Sequence, residues 1–191
     1  MTTTVVFETH ATTEDNESGR STGWLPGRLS AAGRQQAVLL GERRRDDGLA
    51  AVFTSDLARA VQTVSTAFAE VDDLPVLHDW RLRECDYGTW NGAPSTLVQG
   101  TRVAHLDVPY PGGESWRQAV GRVIGALRDI ATGWAGQRVL VVGHVATRWA
   151  LDHGAAGTAL ETLTREDFAW RPGWDYDVTH LARPAAHDGS G

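Results

Sequence analysis

The chain has a single cysteine, Cys85, and a single methionine among 191 residues. One thiol excludes an internal disulfide and any cysteine-cluster metal site, and it suits a reducing compartment. Lysine is absent, so the basic side chains are arginine, whose planar fork suits bidentate contact with phosphate or carboxylate. The plainer reading for most of them is a generic surface cation. Acidic residues outnumber basic ones by 24 to 18, a net charge of −6, which leaves no global positive field for nucleic acid or an anionic membrane. An anionic ligand would need a local cluster of arginines. No apolar run approaches the ~20 residues that span a bilayer, and the N-terminus lacks a charged-then-apolar signal pattern. A cytoplasmic protein without membrane or nucleic-acid partners is expected. With 41% hydrophobic and 22% charged residues, the composition is that of an ordinary globular protein.

Short apolar runs alternate with helical patterns. Thr4-Val5-Val6-Phe7-Glu8-Thr9 reads as a buried strand that stops at His10. Ser30 is a candidate N-cap for a helix to about Arg45, ended by Asp46-Asp47-Gly48. Leu49 to Phe53 reads as a second strand, and Ser55 or Asp56 can cap a helix from Leu57 to Phe68. Val76-Leu77 is a third strand. The pattern is weak from Ala93 to Tyr110. Pro111-Gly112-Gly113 then turns into a helix from Glu114 to about Trp134, with Trp116, Val120, Val123, Leu127 and Ile130 on its apolar stripe. Gln137 to Val142 is the clearest strand; it ends at Gly143-His144 and a helix to His153 follows. Phe168 to Thr179 fits a last, edge strand, and residues 183–191 a disordered tail. The alternation predicts one α/β domain over residues 1–182, a three-layer sandwich with a mostly parallel central sheet flanked by helices.

Two of these strands end in histidine. In a parallel sheet both rings would project from one edge, so His10 and His144 would converge although they are 134 positions apart. Either alone could simply cap a strand. Arg59 falls in the first turn of its helix, where a cation opposes the helix dipole unless an anion lies between them; an arginine directed into water is the alternative. Glu84 and Asp86 lie in the aromatic loop from Trp80 to Gly92. A carboxyl group beside aromatics is a candidate general acid, or else a solvated loop charge. Trp24, Trp80 and Trp90 could line a pocket for an organic group or merely pack loops. His78, His105, His153 and His180 show no metal-ligand spacing, and Cys85 reads as packing.

Taken in order, these pieces resemble the histidine phosphatase superfamily, the phosphoglycerate mutase-like clan. Thr22-Gly23-Trp24 with Leu29-Ser30, Thr54-Ser55-Asp56-Leu57-Ala58-Arg59-Ala60 through Thr63, Leu82-Arg83-Glu84 through Gly92, Pro111-Gly112-Gly113-Glu114-Ser115 and Val142-Gly143-His144 are each similar to a family segment. The resemblance implies a phosphomonoester hydrolase acting through a phosphohistidine at His10, with His144 as the second histidine and Glu84 as proton donor to the leaving oxygen. It implies phosphate binding by Arg59, Asn16, Thr9, Thr22 and Gly23. No metal or cofactor is implied, the substrate would be a small-molecule phosphate or another anion, and a homodimer is compatible. Only 26 residues lie between Glu84 and Pro111, little room for the substrate-covering insertion of the mutase branch.

The departure is at the first strand. The family's Arg-His-Gly is replaced by Thr9-His10-Ala11, and Val145 stands where a glycine usually follows the second histidine. An arginine lost from a phosphate clamp forfeits on the order of 1.5–3 kcal/mol per hydrogen bond. Glu8 would add repulsion if it faced the anion. Three readings stay open: a phosphomonoesterase in which Arg20, Arg28, Arg83 or Arg148 compensates, an enzyme for a different anion, or a non-catalytic ligand- or partner-binding protein.

Overall fold

The computed structural model describes residues 1–182; the stretch read as a disordered tail lies outside them. Seven strands and seven helices follow in chain order. They are β1 (Thr4–Thr9), α1 (Glu14–Glu17), β2 (Arg20–Ser21), α2 (Ala31–Arg44), β3 (Ala51–Thr54), α3 (Ala58–Ala67) and β4 (Val76–His78). Then come β5 (Ala93–Pro94), α4 (Ser95–Gly100), α5 (Trp116–Gly133), β6 (Arg138–Gly143), α6 (Val145–Gly154), α7 (Leu160–Leu163) and β7 (Trp174–Asp177).

The central sheet runs β4-β3-β6-β1-β7, parallel except for β7, which pairs antiparallel with β1 at the edge. Its apolar residues alternate as the pleat requires. Val6, Val52, Leu140 and Val142 pack with Leu40 and Val64, on α2 and α3. Val5, Phe7, Phe53, Val139 and Val141 pack on the opposite face with Trp116, Val123 and Leu127 of α5 and Trp149 of α6. Because the helices lie on both faces, the chains leaving β1, β3, β4 and β6 open a crevice at the carboxyl edge.

Glu8 resolves one sequence-level concern. It is 1% exposed, and its carboxylate meets Arg44 at 2.9 Å and Arg43 at 3.3 Å, so α2 neutralises it. The last strand is shorter than expected: residues 168–173 are irregular, and only Trp174–Asp177 pair. The weakly patterned stretch holds α4 and turns, and Ser115, not Glu114, begins α5 through a capping box with Gln118.

The loop carrying Glu84 is held from beneath. Arg122 of α5 donates Nη1 to the carbonyls of Arg81 (2.8 Å) and Arg83 (3.1 Å), and Nη2 to that of Glu84 (3.1 Å). The same guanidinium is forked onto Glu114 at 2.8 and 2.6 Å. Removing one partner of a largely buried pair strands the other charge, at a cost of about 3 kcal/mol. Arg122→Ala should therefore lower the denaturant midpoint by that equivalent and loosen residues 81–84 to amide exchange. Unchanged stability and protection would refute this bracing.

Candidate active site

Register brings the two histidines together. Thr9 lies opposite Gly143, so the next residue of each strand leaves the sheet beside the other. The ring centroids of His10 and His144 are 5.1 Å apart, and the His10 amide donates to the Gly143 carbonyl at 3.0 Å. Glycine is needed at 143: a Cβ there would lie 2.5 Å from Thr147 Oγ1. That hydroxyl oxygen accepts the His144 amide at 3.2 Å.

The hydrogen bonds assign the protons. His10 Nδ1 is 2.8 Å from the Ala11 carbonyl, which can only accept, so the proton resides on Nδ1 and Nε2 keeps its lone pair. Arg59 Nη2 can only donate and lies 3.4 Å from His144 Nδ1. The His144 proton is therefore on Nε2, which donates to Ser55 Oγ at 2.7 Å. Desolvation, then the charge of Arg59, lowers the His10 pKa from 6.5 to about 3. The same two causes, with His10 itself adding to them, hold His144 well below its ordinary value. Both rings are neutral at neutral pH, and an anion beside them would raise both.

Arg59 is 2% exposed and lies in the first turn of α3. Neither Ser55 nor Asp56 caps that helix: Leu57 is the N-cap residue and provides no side-chain cap, Ser55 is committed to His144, and Asp56 pairs with Arg83. Arg59 donates Nη2 to the Gly23 carbonyl at 2.8 Å and Nη1 to that of Leu25 at 3.2 Å. Gly23 has φ +56°, and a Cβ there would fall 1.8 Å from Asn91 Oδ1, so only glycine presents this carbonyl. Glu84 is 8% exposed. Its Oε1 accepts the amides of Cys85 (2.9 Å) and Ala146 (3.1 Å), and its Oε2 that of Val145 (3.2 Å), so the carboxylate sits on the N-terminus of α6.

One cavity of about 580 Å³ is lined by His10, His144 and Glu84, and by Arg59, Asn16, Thr9, Thr22 and Gly23. The eight residues that the family resemblance marks for the site thus line the same space. Asn16 Oδ1 is used in capping α1, and the Thr22 hydroxyl donates to Asp15. Val145 lines the cavity as well. Among the described residues, no group of histidine, cysteine and carboxylate side chains is arranged to hold a metal ion.

The family model of the histidine phosphatase superfamily (branch 1) matches residues 5–170. The chain belongs to that superfamily. It is 29% identical to phosphoserine phosphatase 1 of Hydrogenobacter thermophilus over 93% of this chain and 86% of that one. It is 33% identical to a 2,3-bisphosphoglycerate-dependent phosphoglycerate mutase of a Methylobacterium species over 83% of each. Among solved structures, Bacillus stearothermophilus YhfR superposes with a TM-score of 0.80 at 28% identity, covering 91% of this chain and 90% of that one. A mycobacterial glucosyl-3-phosphoglycerate phosphatase complexed with VO3 gives 0.74 at 26% identity, covering 84% and 85%.

Against the superfamily's pattern, the candidates for a compensating arginine separate. Arg20 lines the cavity and donates to the Gly92 carbonyl at 3.0 Å. Arg28 lies in a different pocket, Arg83 is paired with Asp56, and Arg148 is paired with Asp152 over the Trp174 ring. None of Trp24, Trp80 and Trp90 lines the cavity: Trp24 lies under Arg83 and donates to the Glu84 carbonyl, Trp90 packs on His105 and Tyr110, and Trp80 is largely exposed. Asp86 serves its turn, accepting from the Gly88 amide and Asn91 Nδ2, and does not line the cavity. Cys85 is fully buried, and burial pushes its thiol pKa far up. The sequence reading missed Arg102 and Trp170, which both line the cavity, and the use of Ser55 to orient His144. The signal for Ser55 lies in Ser-Asp-Leu-Ala-Arg, where position before a helix suggests a cap instead.

Two histidines whose pKa values are lower in the folded state make the unfolded chain bind more protons below pH 6.5. Stability is unaffected by them above that pH and falls as acid is added between 6.5 and about 3. The slope is at most about 1.4 kcal/mol per pH unit for each ring. Denaturation of wild type and His10→Asn at several pH values in that window should show a shallower decline in the variant; parallel declines would contradict a His10 ring held neutral by the fold.

Proposed function

We propose that the protein hydrolyses a small-molecule phosphomonoester through a phosphohistidine on Nε2 of His10. The observation that carries the reading is the 2.8 Å contact of His10 Nδ1 with the Ala11 carbonyl, which leaves Nε2 unprotonated beside His144 and the buried Arg59. Nε2 attacks phosphorus, the P–N bond forms as the P–O bond to the leaving group breaks, and a carboxyl group supplies the leaving oxygen's proton. Water then attacks phosphorus as the P–N bond breaks, its proton passes to the carboxylate, and inorganic phosphate leaves with His10 restored.

Charge stabilisation falls to Arg59 and His144. The neutral His144 turns a lone pair on Nδ1 toward Arg59, so an incoming phosphate would draw a proton onto that nitrogen and convert it to a donor. Binding is thereby coupled to proton uptake, and imidazolium and guanidinium together face the equatorial oxygens of a loose transition state. Thr9 provides no charge where the family's arginine would stand, so a simple ester is held less tightly than in an intact motif. This suits a substrate with further handholds.

Two carboxyl groups line the cavity, Glu84 and Asp167. Glu84 is fixed in place by three amides, whereas Asp167 is exposed in the irregular stretch before β7, so Glu84 is the better positioned of the two; because those amides favour its carboxylate form, its proton is taken up with the incoming phosphate. Wild type should turn over 4-nitrophenyl phosphate, and His10→Ala should abolish it. Glu84→Gln should lose about 10²–10⁴-fold with an alkyl phosphate, whose leaving oxygen needs a proton, and much less with the nitrophenyl ester. A larger loss in Asp167→Asn than in Glu84→Gln would reassign the acid, and activity surviving in His10→Ala would overturn the mechanism. Thr9→Arg should raise kcat/KM for the nitrophenyl ester by about tenfold or more.

A further inference from the structure

Buried Glu8 carries two guanidiniums on one carboxylate, and they do not hold it equally. Arg44 brings both Nε and Nη2 to 2.9 Å from Oε1, with its side chain 12% exposed, so it neutralises Glu8 by itself. Arg43 approaches with Nη2 alone, 3.3 Å from Oε2 and 3.5 Å from Oε1, and its side chain is 33% exposed. Among the described residues it has no other ion-pair or hydrogen-bond partner. A long contact through one nitrogen of a partly exposed side chain costs little to break. Arg44 keeps Glu8 paired when Arg43 leaves.

Arg43 stands beside the nucleophile. Gln36, Leu40 and Arg43 recur at helical spacing on α2, and this stripe lines a second cavity of about 340 Å³ with Glu8, His10 and Trp170. Thr9, His10, Thr12 and Trp170 line both this cavity and the one that holds Arg59 and His144, so the two spaces adjoin. Thr9, short where the superfamily has arginine, stands on their boundary. Glu8 and His10 are two positions apart and hence on one face of the chain leaving β1, about 7 Å from each other. An arginine's long stem covers that distance by changing rotamer.

We infer that Arg43 is a ligand of the phosphoryl group: it leaves Glu8 for the oxygens of a phosphate bound at His10 and supplies from α2 part of the grip that Thr9 does not provide. This rests on the phosphomonoesterase reading and adds to it a catalytic residue from outside the strand-end loops. The incoming dianion exchanges one weak contact of Arg43 for a charge-assisted one, while the Arg44–Glu8 pair stays in place.

A double-mutant cycle tests it. Full-length wild type, Arg43→Gln, Thr9→Arg and the double variant are assayed with 4-nitrophenyl phosphate, and competitive inhibition by inorganic phosphate is read alongside. Arg43→Gln should lower kcat/KM about tenfold and weaken phosphate inhibition by a similar factor, and Arg43→Lys should retain part of both. Thr9→Arg would serve the same oxygens, so its gain should be larger in Arg43→Gln than in wild type by about threefold or more. A merely structural Arg43 would leave that gain equal in the two backgrounds. The thermal midpoint of Arg43→Gln should match wild type, because Arg44 still pairs Glu8. Turnover in which Arg43→Gln equals wild type, or in which Thr9→Arg gains equally in both backgrounds, overturns the assignment and leaves the phosphatase reading standing. If no ester is turned over, calorimetry with inorganic phosphate decides. Affinity lowered by Arg43→Gln and restored by adding Thr9→Arg supports the ligand while refuting hydrolysis, and affinity indifferent to Arg43→Gln refutes it.

Discussion

The parallel pairing of β1 with β6 is the constraint on which the site depends. Thr9 opposite Gly143 fixes His10 beside His144, and the His10 amide bound to the Gly143 carbonyl prevents the pair from sliding apart. A slip of one residue would send every side chain of β1 to the other face, removing Val5 and Phe7 from the α5 layer and Glu8 from Arg43 and Arg44. The apolar core thus enforces the register, and the register places the chemistry. Neither histidine needs to be positioned by its own neighbours alone.

Around that pair the protein assembles buried polar groups that it satisfies almost completely. Arg59 is held by two carbonyls of the first loop, Glu84 by three amides, and His144 by Ser55. Between them these contacts tie together the segments that follow β2, β3, β4 and β6, so the loops are pinned before any ligand arrives and the arrangement is preorganised for charge. The Arg122–Glu114 fork extends this outward, fastening the Glu84 loop to α5. Arg102 is the exception in the cavity, a buried cation left without a partner.

Much of this was legible in the sequence because it follows from short-range rules. Apolar runs marked β1 and β6, and a histidine at the end of each marked the site edge. Arg59 in a helix's first turn was out of place unless it served an anion, and it is buried against His144. What escaped depends on long-range packing. The cavity wall formed by Ser95, Gln99 and Arg102 comes from a stretch without strong periodicity, since α4 is only six residues long and buries only Val98. The alternation within Phe168 to Thr179 suggests an edge strand that would include Trp170, but pairing with β1 begins only at Trp174, leaving Trp170 at the cavity. Which arginine enters the cavity could not be read from spacing, since Arg83 and Arg148 look equally available until their partners Asp56 and Asp152 are in place.

The central claim is that Nε2 of His10 accepts the phosphoryl group. Its most direct test is to mix the protein with 4-nitrophenyl phosphate, quench in alkali within a turnover, and map the modified peptide by mass spectrometry. The account predicts an acid-labile, alkali-stable adduct of one PO3 group on His10, absent in His10→Asn and longer-lived where hydrolysis of the intermediate is slowed. Turnover accompanied by no adduct, or by an adduct on any other residue, would contradict it.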